Sequence, residues 1–584
     1  MKRLLFILLA FLFLNSCAII RFPEFGKVPK NPGNYPKFTE RDYLVGKLDE
    51  DRAGYDVTFY DLDLILDPDH KKLGGRVNIH FKALAELGKI RIDLYKNLDI
   101  SSLKISGQEI PFSRNDRAVI ASLPDPLVIG RDYLIIVAYD GKPASAKNPP
   151  LGGGVVWKKD ENDNPWVGVT CETEGGSIWF PCKDHLSDEP DSVRLRMTVP
   201  AGLQVVSNGK MQGHTSNAGS ETFRWGTNYP VNIYSMTFYA GKFEHFSDTM
   251  LTPLGILNLD YYVLPQNLEK AKKQFIQVKE TINLYARSFG PYPWINDGFR
   301  LVEAPFEGME HQTAIAYGSG FSNRAWLGGD YVIIHEAAHE WWGNAVSVSD
   351  FADIWLQEGF ATYSEMLFAE YKMGYENSLL YARYFIAGSI KNKLPVVGPA
   401  GVSYWNSRDN DVYNKGAMVL HTIRNVLNDS TLFFDILQTF YREHASSSHV
   451  TTADFIEVVE RKTGTDWDKF FEAYLYRREV PVLCWYYDPA GNDKGYATAE
   501  RNVVPVIAAK WLNVPDGFSM PAEFYCKEEN VSVRMEVTTK PTLLYCEEMT
   551  ACSKLICNKR LSYFDAVTDI SVLAETRSSG GGDQ

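Results

Sequence analysis

Two hydrophobic periods divide this chain. Alternation at every second residue opens at Tyr55 and places Tyr60, Leu62, Leu64 and Leu66 on one face of a strand. A turn-rich D-P-D-H-K-K-L-G-G stretch follows, and Val77, Ile79 and Phe81 resume the period. Ile90, Ile92 and Leu94 repeat it, as does the Y-L-I-I-V-A-Y run from Tyr133, which predicts a β-rich domain reaching about Phe246. Leu257, Leu259, Tyr261 and Val263 alternate once more, as a strand entering a second domain. The period then becomes helical. A helix is predicted from about Leu268 to Ser288, with Leu268, Ala271, Phe275, Val278, Ile282 and Tyr285 as its core stripe. Asp330 is placed to cap another helix, and a break at Gly343-Asn344 separates it from a third that carries Glu358. Helical patterns continue through Phe455, Ile456 and Val459 to W-D-K-F-F-E-A-Y-L, ending near Arg478. From Pro481 the two-residue period returns, in V-P-V-I-A-A-K-W-L and V-S-V-R-M-E-V, and reads as a small β-sandwich.

The N-terminus follows neither period. Met1-Lys2-Arg3 precedes eleven apolar residues, Leu4 to Leu14, too few to span a bilayer but suited to a signal peptide. The L-N-S-C ending looks like a bacterial lipoprotein box, which makes Cys17 the first mature residue and the site of lipidation. Pro23, Pro29, Pro32 and Pro36 mark a spacer holding the folded part away from the lipid. The expected organisation is multidomain α+β. It runs as signal peptide 1–16, spacer 17–45, N-terminal β domain 46–248, catalytic domain 249–480, β-sandwich 481–576 and flexible tail 577–584. The protein is expected to be exported and lipid-anchored to a bacterial membrane, on the periplasmic or cell-surface side.

The net charge of −13 argues against nucleic acid as a partner. Export permits disulfides among Cys171, Cys182, Cys484, Cys526, Cys546, Cys552 and Cys557, and the odd number leaves at least one thiol. Cys171 and Cys182 are near enough to pair but equally read as two buried thiols. The four C-terminal cysteines fit no zinc ribbon. Pairing and oligomeric state stay open.

The chemistry concentrates in H-E-A-A-H, residues 335–339. His335 and His339 leave one helical face four residues apart, and Glu336 stands one position further round. Two neutral imidazoles in this pattern hold zinc while the carboxylate serves as base. Glu358, 19 residues beyond His339 within W-L-Q-E-G-F-A, supplies a third ligand and leaves one metal position open.

H-E-x-x-H followed by 18 residues and Glu resembles the gluzincin aminopeptidases of the aminopeptidase N and leukotriene A hydrolase type, here in a lipoprotein form. The resemblance covers about residues 50 to 576 and implies a thermolysin-like catalytic domain with one Zn2+ per chain. It implies three further roles. Glu172, ahead of Phe180-Pro181-Cys182, binds the free amine of a peptide. Met309 and Glu310 match the exopeptidase motif Gly-x-Met-Glu-Asn and, with Gly308 at its variable position, serve the same amine, although Glu307 and His311 depart from its first Gly and last Asn. Tyr413, in D-V-Y-N-K-G-A, stabilises the tetrahedral intermediate. The implied function is zinc-dependent removal of N-terminal residues from peptides. Two other readings stand beside it: an endopeptidase on the same scaffold, which needs no amine anchor, and a peptide-binding lipoprotein without turnover. The preferred N-terminal residue is not readable from the sequence.

Overall fold

The computed structural model describes residues 35–172, 174–403, 409–445, 449–489, 504–549 and 551–579. Cys17 and the expected signal peptide lie outside them. No helix among the described residues is long and apolar enough to cross a membrane.

The first alternating region builds an eight-stranded sheet around Tyr55–Asp67, which pairs antiparallel with Lys72–Ala83 and parallel with Ser192–Pro200. Register sets Leu62 opposite both Val77 and Leu195. Tyr60, Leu62, Leu64 and Leu66 are buried while Ile65 faces outward, as a period of two requires. A four-stranded sheet orders Gln204–Ser207, Phe238–Gly241, Pro165–Thr170 and Gly154–Lys159. The loop after Pro165–Thr170 carries Glu172.

The strand Glu244–Thr252 pairs with Gly255–Val263, so it belongs to the next sheet. That five-stranded sheet continues through Phe299–Glu303 and Ile315–Tyr317 and ends on the short edge strand Gly308–Met309. The predicted Leu268–Ser288 helix is two helices, Leu268–Gln274 and Gln277–Ser288. The break seats Phe275 among Tyr261, Tyr317 and Phe321 and leaves Ile276 in solvent. It also lets Gln274 and Gln277 both bond to Asp330. Three helices then frame the cleft: α1 (Tyr331–Ala338), α2 (Trp355–Met373) and α3 (Asp411–Leu427).

The C-terminal region is a sandwich of a four-stranded and a three-stranded sheet. A helix not foreseen from the strand pattern, Ser571–Ser579, runs past residue 577, where the tail was expected to begin. Cys526 pairs with Cys552, while Cys171, Cys182, Cys484, Cys546 and Cys557 are free.

Candidate metal and peptide site

Asp330 starts α1. Its carboxylate accepts from the Val332 amide at 3.1 Å and from the hydroxyls of Tyr317 and Ser319 at 2.7 and 3.0 Å. His335 lies within α1, and His339 is its C-cap, still in right-handed helical conformation. The two imidazoles therefore share a face, with their Nε2 atoms 3.3 Å apart. Glu358, in the first turn of α2, brings Oε2 to 3.5 Å from His339 Nε2 and 3.8 Å from His335 Nε2.

These spacings fit a metal. A tetrahedral zinc with nitrogen ligands at about 2.0–2.1 Å sets neighbouring donor atoms roughly 3.3 Å apart. The outward nitrogens fix the tautomers. His339 Nδ1 stands 2.8 Å from the Trp342 carbonyl oxygen, which can only accept, so Nδ1 carries the hydrogen and Nε2 presents its lone pair. His335 Nδ1 donates likewise to Glu365 at 2.7 Å, and the other Glu365 oxygen accepts from Tyr381. Two Nε2 atoms and a carboxylate thus converge in a buried place, and a metal that displaces the Nε2 protons meets two lone pairs. Burial opposes charge on His339, yet Glu358 and Glu310 lift it to about 9. Burial likewise opposes charge on Glu358, yet His339 and His335 hold it well below the usual carboxylate range. The space between them favours a cation, and its N, N, O donor set suits zinc.

Glu336 points under the edge strand. A Cβ built on Gly308 would lie 2.3 Å from Glu336 Oε1, so this carboxylate occupies the space that glycine leaves. Burial pushes Glu336 up to about 8, with His335 pulling against it and Glu310 adding to it.

Beyond His339 the carboxylates crowd. Ligand oxygens of Glu172, Glu310 and Glu358 all lie within 4.8 Å of one another, and all three residues are buried. Burial, then Glu310 and Glu358, push Glu172 well above its ordinary range. Glu310 is raised by burial, against His339 and with Glu358. Glu172 Oε1 has no hydrogen-bond partner among the described residues. A protonated amine supplies what is missing, a positive charge and three N–H donors.

Tyr413 stands at the head of α3, its ring 6.3 Å from that of His335. It reaches this position because α2 and α3 cross in near backbone contact. A Cβ on Gly359 would meet Gly416 Cα at 2.9 Å, and one on Gly416 would meet Gly359 Cα at 3.0 Å. The cleft holds about 800 Å3 and is lined by the metal triad, Glu336, Glu172, Gly308, Met309, Glu310 and Tyr413. Met309 borders it, but its sulfur turns to the Thr170 hydroxyl at 3.7 Å. His311 is fully buried against Tyr239 at 2.6 Å and is absent from the lining, and burial holds it at about 3, hence neutral.

Residues 309–474 match the model of the Peptidase family M1 domain. That stretch is similar to M1 peptidase domains. A protein named Probable aminopeptidase 2 from Sulfurisphaera tokodaii is 22% identical over 66% of this chain and 49% of its own length. Aminopeptidase B of Rattus norvegicus is 23% identical over 67% of this chain and 62% of its own length. The chain thus spans about half the length of the first curated relatives it matches. Among solved structures, a mutant M1 zinc metallopeptidase from Deinococcus radiodurans bound to a Tyr-Ser-Ala substrate matches with a TM-score of 0.62. That likeness, at 24% identity over 73% of this chain and 95% of the other, is one of fold.

Several residues around the site carry roles that the motifs alone do not indicate. Glu365 lies seven residues after Glu358 on α2, two turns on and on the same face, a spacing that was available to find it. Tyr381 and Tyr234 had no such signal. Tyr234 comes from the N-terminal β region, bonds to Gln357 at 3.3 Å, and is pushed upward by burial and then by Glu310 and Glu172.

Proposed function

We propose that this chain is a zinc aminopeptidase. The observation that carries the proposal is the adjacency of a zinc-compatible triad, His335, His339 and Glu358, to a buried pair of carboxylates, Glu172 and Glu310, that suits a cation. Relatives named aminopeptidases support the same reading. When bound, zinc supplies Lewis acidity to a carbonyl and to a water. The protein's own groups do the rest. Glu172 and Glu310 take the peptide's free ammonium and so count one residue in from the N-terminus. The edge strand Gly308–Met309 offers backbone groups along which an extended substrate can lie. Glu336, raised toward neutrality by burial, takes a proton from the attacking water and returns it to the leaving nitrogen. Tyr413 donates to the developing oxyanion.

The deciding assay compares hydrolysis of leucyl anilide with that of its N-acetylated form, in wild type and in Glu310→Ala. Losing one charge-assisted contact to the amine costs on the order of 1.5–3 kcal/mol, roughly one to two powers of ten in kcat/KM. That loss is expected for the free amine and not for the blocked substrate. Equal loss on both, or a wild-type preference for the acetylated form, would assign an endopeptidase instead.

We further propose that the chain is exported and held at a bacterial membrane by lipid on Cys17, on the strength of the L-N-S-C sequence. Cys17→Ser is expected to abolish incorporation of labelled fatty acid. Wild-type protein found wholly in the soluble fraction with Met1 intact would overturn this.

A further inference from the structure

The edge strand that passes over Glu336 has two ends. Glu310 closes one, beside Glu172 and His339. Glu307 stands at the other, on the cleft rim, where the resembling aminopeptidases usually carry glycine. Its carboxylate pairs with Arg324 at 3.1 Å, both side chains being well exposed. The turn before α1 holds Arg324 in place: its amide donates to Gly329 O at 2.8 Å, and its carbonyl accepts from the Leu327 and Gly328 amides. The guanidinium lies over two aromatic rings, 4.1 Å from the Tyr331 centroid and 5.3 Å from that of Trp326. Tyr331 in turn stacks on His335 at 5.3 Å. The guanidinium therefore stands no more than about 9.4 Å from a metal-site imidazole and is paired with Glu307, at the opposite end of the edge strand from Glu310.

We propose that Arg324 receives a carboxylate of the leaving portion of the substrate, so that short peptides ending in a free acid are preferred. This rests on the aminopeptidase reading, which sets the peptide's direction from Glu310 toward Glu307. The span decides the length. An extended chain advances about 3.3–3.6 Å per residue, so two residues past the scissile bond cover roughly 7 Å. A charge-assisted hydrogen bond of about 2.8 Å closes the remainder. The terminal carboxylate of a tripeptide reaches about as far as that limit, and an Asp or Glu side chain just after the scissile bond offers the same chemistry. In the free protein Glu307 occupies the guanidinium. An exposed pair of this kind is weak, so an incoming carboxylate exchanges with it readily. Glu307 is thereby a competitor that sets how much the acid gains.

The test uses the zinc-loaded full chain carrying Glu336→Gln, in which peptides bind without turnover, and reads Kd by calorimetry. Leu-Gly-Gly is expected to bind about tenfold more tightly than its C-terminal amide. Adding Arg324→Gln should bring the two to parity by weakening the acid alone, and Arg324→Lys should keep an intermediate preference. Adding Glu307→Gln should widen the gap. Leu-Asp-Gly amide against Leu-Asn-Gly amide shows whether a side-chain carboxylate is also taken, and discrimination in either pair supports the assignment. Arg324→Gln weakening acid and amide alike, or wild-type indifference in both pairs, would overturn it. Failure of the underlying aminopeptidase reading looks different: Leu-Gly-Gly would then bind no better than N-acetyl-Leu-Gly-Gly.

Discussion

Gly359→Ala puts two physical effects in opposition, and the structure says which wins. Gly359 lies inside α2, where alanine is favoured over glycine by about 1 kcal/mol through helix propensity. On that ground alone the variant would be more stable. The added methyl, however, would meet Gly416 Cα at 2.9 Å, Gly416 C at 3.0 Å and Val412 O at 3.1 Å. All three are backbone atoms of α3, so no side chain can swing aside. Ordinary carbon contacts lie at about 3.5–4.0 Å, so α2 and α3 must part by roughly 0.6–1.1 Å. Overpacking of this sort costs about 1–3 kcal/mol. Set against the propensity gain, the net expectation is a loss of up to about 2 kcal/mol, which in a chain of this size is a fall in Tm of up to about 2 °C rather than a rise. The same parting draws Tyr413 away from Glu358, and misplacement by about 1 Å can cost on the order of a hundredfold. Turnover of leucyl anilide should therefore drop about 10–100-fold. Zinc content should be unchanged, because all three ligands come from the α1–α2 segment. Gly416→Ala should act in the same sense but more mildly, since its methyl meets one backbone atom at 3.0 Å and otherwise only Trp355 at 3.5–3.6 Å. A Gly359→Ala variant with raised Tm and full activity would refute the close crossing and the placement of Tyr413 that depends on it.

Gly308→Ala is expected to spare zinc content and thermal stability but to lower kcat at least tenfold, because its methyl falls 2.3 Å from Glu336 Oε1 and must displace the base; steady-state kinetics beside metal analysis would show it. Glu336→Gln should keep zinc and lose nearly all turnover, whereas Glu358→Ala should lose zinc; equal metal loading of both would break the ligand assignment. Zinc should also stabilise the protein more at high pH than at low pH. Glu336 and His339 titrate at about 8 and 9 in the metal-free fold, above their unfolded values. Without metal the folded site therefore holds extra protons, and the stability they lend is lost as pH rises from about 5 through 9. Zinc replaces those protons, so the Tm gap between zinc-loaded and chelator-treated protein should widen from pH 5.5 to pH 8.5, and a constant gap would count against the site.

What the sequence determined by itself was whatever depends on short spacing. Four residues along a helix suffice to aim His335 and His339 together, and a period of two suffices to bury Leu62 and Leu64 while exposing Ile65. Asp330 announces the start of α1 because capping needs only the next few amides. Glu172 and Tyr413 entered only through family resemblance, since nothing local to either stretch says which distant surface it will meet. Tertiary structure decided the rest. The apolar stripe from Leu268 to Tyr285 is continuous in sequence, yet the helix breaks at Phe275, because an aromatic cluster drawn from three other segments seats that ring. Cys526, at the end of its strand, pairs with Cys552, while Cys171 and Cys182, closer in sequence, stay apart as buried thiols. Tyr234 and Glu172 arrive from a different sheet system, and Glu307 meets Arg324 only because the edge strand folds back beside the turn before α1. Each of these contacts joins residues whose separation along the chain exceeds any local period. The deciding forces, burial of charge and backbone approach, exist only once the layers are packed.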